Sequence, residues 1–368
     1  MRITRIELRD FRNYRSWKLE TQHPLTILIG PNAAGKTNVL EAIESVSTGR
    51  SFRSPNWGDV VRWGADQAVV STTAEGKRTP VHAELTVTPD GRRSWRVDSQ
   101  ARRRVHDATR FVPVVVFTPE DLMLVRGPAE RRRSGVDGLG DQLSATYATL
   151  RREYARVLRQ KNALLKSESP DATLGPWNEQ IIRLGARLHV HRRRLVRRLT
   201  AAAVPVYEGL ACGETLTVEM RGTRGPHEGG WESEEDISVV ENGLREELAR
   251  RREDERARGV SLVGPHRDDV VFTIGEHDAR SFASQGQQRT LALAWKWAEV
   301  TVVREVLGTE PVLLLDDVMS ELDASRREAL ADLVSKDIQT FITTTTTSYF
   351  DESLLERAKI VPVGGGCS

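Results

Sequence analysis

Residues 1 to 30 alternate between apolar and polar positions: Ile3, Ile6 and Leu8 mark one run, Trp17 and Leu19 a second, and Leu25 to Ile29 a third. A period of two is the mark of a strand with one buried face, so three strands are predicted. Between the first two lies a polar turn flanked by aromatics, Phe11-Arg12-Asn13-Tyr14. From Asn38 to Ser47 the spacing changes to Val39, Leu40, Ile43 and Val46, the face of a helix. Residues 67 to 98 predict several short strands with turns at Glu75-Gly76 and Pro89-Asp90-Gly91, and Phe111 to Phe117 predicts a buried strand ending in Thr118-Pro119-Glu120-Asp121.

Beyond about Glu130 the pattern is helical. Leu150, Tyr154, Val157, Leu158, Leu164 and Leu165 form one apolar stripe, broken near Ser169-Pro170; Ile181, Leu184, Leu188, Leu195 and Leu199 form another. Two long amphipathic helices joined by a loop predict an arm packed on itself. Residues 214 to 258 predict a strand (Thr215 to Met220), an acidic Gly-rich loop (222 to 236) and a charged helix (237 to 257). Strands are expected again at Val260 to Val263 and Val270 to Ile274, on either side of Gly264-Pro265-His266-Arg267-Asp268-Asp269.

At 368 residues the chain has room for one large domain with an insertion, or for two domains. A mean hydropathy of −0.43 with 29% charged residues describes a soluble globular protein. No apolar run reaches membrane-spanning length, and Met1 to Ile6 starts as a strand rather than as a signal peptide, so the expectation is a cytoplasmic protein with no membrane partner. Cys212 and Cys367 are too few for a metal site or a disulfide framework. Net charge is only +2, yet arginines crowd the arm at Arg131 to Arg133, Arg151-Arg152, Arg156, Arg159, Arg192 to Arg194 and Arg197-Arg198. Acidic residues are scarce between 183 and 198, which leaves a solvated face and an anionic partner as the two readings of this charge.

The candidate chemistry starts at Gly30-Pro31-Asn32-Ala33-Ala34-Gly35-Lys36-Thr37-Asn38, which fits G-x-x-x-x-G-K-[ST]. The pattern closes one predicted strand and opens one predicted helix, so backbone N–H groups and a helix N-terminus converge as a polyphosphate requires. Gly30 and Gly35 permit the close approach, Lys36 brings a point charge to the β- and γ-phosphates, and the Thr37 hydroxyl is a Mg²⁺ ligand. Arg12 and Asn13, just ahead of the loop, are candidates for nucleotide contact. Near the other end, Val312-Leu313-Leu314-Leu315-Asp316-Asp317 is an apolar strand ending in two carboxylates, the form of a Walker B element. Asp316 would hold the Mg²⁺ shell, and Asp317 would position or deprotonate the attacking water. Ser284-Gln285-Gly286-Gln287-Gln288-Arg289-Thr290 opens a further helix and offers a second anion-facing N-terminus.

In order and spacing, the phosphate loop, Ser284 to Thr290, Asp316-Asp317 and Ser320-Glu321-Leu322-Asp323 resemble the ABC-type ATPase head of the SMC group. Together with Phe11 to Tyr14, Pro119 to Leu122 and Gly264 to Asp269, they resemble the RecF family of bacterial recombination mediators, from about residue 2 to 347. The resemblance implies an α/β protein, an ABC-type ATPase head with mixed β-sheets (1–125 and 259–368) and a helical basic arm insertion (126–258). It implies ATP at Gly30 to Asn38 with Arg12 and Asn13, Mg²⁺ at Thr37 and Asp316, and catalysis by Lys36, Asp316 and Asp317. Ser284, Gly286 and Gln287 would clamp the γ-phosphate of a second copy, and Ser320 to Asp323 would form a subunit-contacting D-loop. The chain departs from the pattern in four places, one being Ser134 to Gly140, glycine-rich where an apolar helix is expected at the root of the arm. Ala33 and Ala34 stand where relatives usually carry at least one Gly, Pro119 to Asp121 where a Q-loop Gln is expected, and the last strand, Phe341 to Thr345, carries threonines where transporters have a switch histidine.

The activity so implied is a weak, DNA-stimulated ATPase that forms an ATP-dependent homodimer on single- or double-stranded DNA without sequence preference. DNA replication, recombinational gap repair with RecO and RecR, and the SOS response are the processes implied. A transporter-type or regulatory ABC ATPase that does not bind DNA is the alternative.

Overall fold

The computed structural model describes residues 2–75, 80–102, 112–211, 213–222, 236–335 and 338–364. Gly76, Phe111, Cys212, Cys367 and most of the acidic 222–236 loop lie outside the described residues. In chain order the elements are β1 (Arg2–Phe11), β2 (Tyr14–Glu20), β3 (Leu25–Ile29), α1 (Lys36–Thr48), β4 (Ala68–Glu75), β5 (Val81–Val87), β6 (Arg93–Val97), β7 (Gln100–Arg102) and β8 (Val114–Phe117). Then come α2 (Ala129–Leu143), α3 (Ala145–Lys166), α4 (Asp171–Leu210), β9 (Leu216–Arg221), α5 (Ile237–Arg250), α6 (Arg252–Arg258), β10 (Asp269–Ile274), β11 (His277–Asp278), α7 (Ala279–Phe282) and α8 (Gln285–Leu307). The chain ends with β12 (Val312–Asp316), α9 (Ala324–Ser335), β13 (Thr340–Thr344), α10 (Glu352–Glu356) and β14 (Ala358–Pro362).

These elements form two units, one of residues 1–122 with 299–368 and one of residues 123–298. The first contains an antiparallel sheet ordered β2-β1-β4-β5-β6-β7 and a parallel sheet ordered β14-β3-β13-β12-β8. Helix α1 supplies the core they share: Val39, Leu40, Ile43 and Val46 are fully buried with Ile6, Leu8, Val70, Leu85, Leu314 and Phe341. Each such side chain contributes about 1.5–3 kcal/mol on leaving water. Because β3 is flanked by parallel neighbours, its C-terminal end opens beside those of β12 and β13, where ligands of open α/β sheets bind. The turn expected at Pro89-Asp90-Gly91 joins β5 to β6, with Gly91 at φ 79°.

The second unit holds the helical insertion and a small antiparallel sheet ordered β11-β10-β9. Residues 259–298 group with this unit, in which β10 pairs along its whole length with β9. The expected strand at Val260 to Val263 does not form. Side chains take its backbone donors instead: Ser261 N–H donates to Asn162 Oδ1 at 2.8 Å and Leu262 N–H to Glu255 Oε1 at 2.8 Å. The glycine-rich run 134–140 is nonetheless helical in α2, and Gly140 is needed there, as a Cβ would lie 2.7 Å from the Tyr147 ring.

The arm's arginines do not all face solvent, which corrects the reading of Arg192 to Arg194 as one basic surface. Arg192 is 2% exposed. Its guanidinium forks onto Asp137 at 3.0 and 3.1 Å and reaches the Pro265 carbonyl at 2.5 Å and Asp268 at 3.2 Å. The acidic partners missing between 183 and 198 thus come from α2 and from the 264–269 segment. Burial alone would raise the Asp268 carboxyl, but His189 at 2.9 Å and Arg192 hold it below the usual carboxylate range. Arg132, equally buried, is bidentate to Asp269 at 2.7 and 2.8 Å and gives its remaining donors to the carbonyls of Leu124, Val125 and Gly127. Gly264 to Asp269 therefore serves as the socket for two buried guanidinium groups.

Candidate nucleotide-binding site

The phosphate loop leaves β3 at Gly30, whose N–H donates to the Thr344 carbonyl at 3.3 Å. A Cβ on Gly30 would lie 1.9 Å from the Val363 carbonyl oxygen, so only glycine fits between β3 and the segment after β14. Gly35 begins α1 at φ 104°, where a Cβ would strike Asn13 at 2.6 Å and the Tyr14 hydroxyl at 2.8 Å. Ala33 adopts φ 64°, the left-handed region, at a cost of about 1 kcal/mol for a residue with a Cβ. The alanine in a glycine position therefore keeps the loop's path and adds strain to it. The first N–H groups of α1, at Lys36 and Thr37, precede the helix's own acceptors and are available to an anion.

A cleft of about 660 Å³ opens over this loop. Residues 32–38, Arg12, Asn13, Asp317 and Thr343 line it, together with Arg53, Asp59, Val61 and Trp63. Lys36 is 7% exposed and lays its Nζ 2.7 Å from the Gly30 carbonyl and 2.8 Å from that of Pro31. Asn13 braces the loop: its Nδ2 donates to the Ala34 carbonyl at 3.3 Å, and its Oδ1 accepts from Asn38 Nδ2 at 2.7 Å. Arg12 is anchored by a bidentate pair with fully buried Glu41, at 2.9 and 2.6 Å, and by the Asp59 carbonyl at 2.7 Å. Arg53 reaches Asn38 and stands 3.8 Å from Glu41.

The ends of β12 and β13 and the first turn of α1 meet at Asp316. Its Oδ1 accepts from the Thr37 hydroxyl at 2.7 Å and from the Thr343 hydroxyl at 2.8 Å. Asp317 follows in the left-handed region at φ 51°, which Asp tolerates better than most residues, and this turns its side chain toward the cleft. Its N–H donates to Thr343 Oγ1 at 2.9 Å, while its Oδ1 is buried without a hydrogen-bond partner. Burial, with Asp316 and Glu321 nearby, raises the Asp317 carboxyl above the ordinary aspartate range, against the pull of Lys36. A carboxylate oxygen with no donor, beside a hydroxyl–carboxylate pair, suits a divalent cation that keeps several waters or the water itself. No cluster of three or more His, Cys, Asp or Glu among the described residues forms an all-protein metal cage.

Where a Q-loop Gln was expected, Asp121 Oδ2 accepts from the Thr118 N–H at 2.8 Å and its hydroxyl at 3.0 Å, closing the end of β8. Ser284, Gly286 and Gln287 belong to the second unit and are not among the residues lining the cleft. They open α8 through a capping box: Gln287 N–H donates to Ser284 Oγ at 3.2 Å, and Ser284 N–H donates to Gln287 Oε1 at 2.7 Å. Trp63 and Arg53 escaped the sequence reading because they sit in irregular chain; Trp63, 97% exposed, is the one with a visible signal, an aromatic beside a Gly turn.

A family model described as the RecF/RecN/SMC N terminal domain matches residues 2–365. The chain belongs to this family. Within it, the DNA replication and repair protein RecF of Gloeobacter violaceus is 39% identical over 372 residues, covering 100% of this chain and 98% of the relative. RecF of Symbiobacterium thermophilum is 39% identical over 349 residues, covering 94% and 92%. A solved structure of the recombination mediator protein RecF of the RecFOR pathway with ATP superposes with a TM-score of 0.84 at 28% identity, covering 95% of this chain and 93% of the other. The SmcHead bound to the C-winged helix domain of ScpA shares the fold at a TM-score of 0.56 and 16% identity, covering 100% and 95%. This RecF-family chain thus has the ABC-type ATPase head fold, α/β with mixed sheets, and the transporter-type alternative falls away. No helix among the described residues is long and apolar enough to cross a membrane.

Proposed function

We propose that this chain is an ATP-driven DNA-binding protein of replication and recombinational repair, acting in the cytoplasm. ATP lies over Gly30 to Asn38 with Arg12 and Asn13 at the rim, and Thr37 and Asp316 would hold Mg²⁺, which would supply positive charge against the phosphates. Lys36 binds the same phosphates, Asp316 fixes the Thr37 hydroxyl, and Asp317 takes the proton of the attacking water. The observation that carries the reading is the Thr37–Asp316–Thr343 junction, with the unpartnered Asp317 oxygen beside it.

In this reading the head is 1–122 with 299–368, and 123–298 brings the DNA-binding helices and the Ser284 turn. Two copies close on one another when the Ser284 hydroxyl and Gly286 N–H of each meet the γ-phosphate of the other, so ATP supplies the contact between them. Hydrolysis removes the contact, and turnover is slow and quickened by DNA. The relatives' place in the RecFOR pathway makes RecO and RecR the expected partners, and the SOS response the expected setting.

Lys36→Ala tests the site. It removes the loop's only lysine, and ATP affinity is expected to fall about 10–100-fold, the worth of charge-assisted hydrogen bonds to phosphate. Sedimentation equilibrium should then find monomer with and without ATP; a normal ATP-dependent dimer would remove the loop from the mechanism.

The DNA surface lies on α4. Arg183, Arg187, Arg194 and Arg198 are exposed and spaced by four, seven and four residues, a single face about 22 Å long. Replacing Arg183, Arg187 and Arg198 together by Ala should flatten the dependence of log K on log salt by up to about 3, near 0.9 per lost phosphate contact. An unchanged slope in titrations of duplex DNA would place the DNA elsewhere.

A further inference from the structure

The capping box that opens α8 has a third member. Gln287 uses its Oε1 on the Ser284 N–H, and its Nε2 lies 3.0 Å from both carboxylate oxygens of Glu214. Glu214 is in the connection between α4 and β9, and its Oε2 also accepts from the Tyr207 hydroxyl at 3.1 Å. Tyr207 is fully buried on α4, so the carboxylate is tethered to a rigid helix rather than left to a loop.

The chemistry of the donors gives this arrangement its meaning. An ionised carboxylate only accepts, so Glu214 tolerates the NH₂ end of the Gln287 amide and repels the carbonyl end. With NH₂ toward Glu214, the carbonyl faces the Ser284 N–H; with the amide reversed, two donors would oppose each other there and two acceptors at Glu214. Ser284 Oγ in turn accepts the Gln287 N–H at 3.2 Å, so the cap does not use the hydroxyl's own proton. A serine held in this way keeps its O–H as a donor for another acceptor.

We infer that Glu214 is a positioning residue for ATP turnover: by fixing the Gln287 amide it keeps the capping box closed and holds the Ser284 hydroxyl ready for the partner copy's γ-phosphate. The inference rests on the clamp described above and adds a residue about 70 positions upstream of it. Glu214 itself touches no phosphate.

The test uses the full-length protein and four forms: wild type, Glu214→Ala, Glu214→Gln and Ser284→Ala. For each, ATP turnover is followed against ATP concentration, nucleotide binding to the monomer by titration, and unfolding by heat. Glu214→Ala should lower kcat about tenfold, the loss of one charge-assisted hydrogen bond. Monomer affinity for ATP should stay at the wild-type value, while the unfolding temperature should fall slightly with the loss of the Tyr207 hydroxyl's bond to Glu214. Glu214→Gln keeps an acceptor for Nε2 and should recover most of kcat, and adding Glu214→Ala to Ser284→Ala should lower kcat no further. Wild-type kcat in Glu214→Ala with an impaired Ser284→Ala overturns the role of Glu214 and leaves the clamp standing. Wild-type kcat in Ser284→Ala removes the clamp and the inference with it. A fall in kcat that Glu214→Gln does not recover, with monomer affinity for ATP lowered alongside it, marks Glu214 as merely structural.

Discussion

Asp317→Asn is expected to slow ATP hydrolysis by about 10²–10⁴-fold, the usual share of a general base, while ATP binding persists. The Asn keeps the size of the side chain, and the N–H of residue 317 keeps its bond to Thr343 Oγ1. The variant should therefore load ATP and close but fail to reopen, appearing in sedimentation equilibrium as a dimer that persists long after wild type has returned to monomer. The pH profile offers a second check. Burial raises the Asp317 carboxyl, so the basic form is lost on acidification at a higher pH than for an ordinary aspartate. Turnover should rise with pH through that displaced titration and level off above it; in Asp317→Asn this acid limb should vanish. Turnover equal to wild type would take Asp317 out of the chemistry.

Arg192→Ala is expected to act on stability and not on DNA. Removing the guanidinium strands the Asp137 and Asp268 carboxylates in the interior, and breaking a buried pair from one side costs about 3–5 kcal/mol. Arg198→Ala, on the exposed face of the same helix, should stay within about 0.5 kcal/mol of wild type. Urea denaturation of the two variants separates these cases. An Arg192→Ala protein as stable as wild type, with a reduced DNA salt slope, would return this arginine to the surface.

The contrast between Arg192 and Arg198 was present in the sequence in one respect. The apolar stripe of α4 steps from Leu188 to Leu195, and Arg192, four after the first and three before the second, occupies the gap on the inner face. Local charge counting missed it because its partners are 55 and 76 residues away. The phosphate loop was legible because strand, glycines and helix are contiguous and each has a local physical reason. So were Asp316 and Asp317, whose charge at the end of an apolar strand has no local explanation. The braces were not legible: Glu41 beneath Arg12, Thr343 on Asp316 and Glu214 on Gln287 are long-range pairs between residue types common on any surface. The strand expected at Val260 to Val263 failed for a related reason, since apolar alternation does not reveal that Asn162 and Glu255 satisfy its backbone.

The order of strands around β3 bears on how the protein is made. Among the described residues, the strand that delivers the phosphate loop (Leu25–Ile29) pairs with β13 (Thr340–Thr344) and β14 (Ala358–Pro362), on the far side of the arm in sequence. A ribosome will have released the whole arm before either neighbour of β3 exists. Completion of the sheet around the phosphate loop thus waits on the segment that carries β13 and β14.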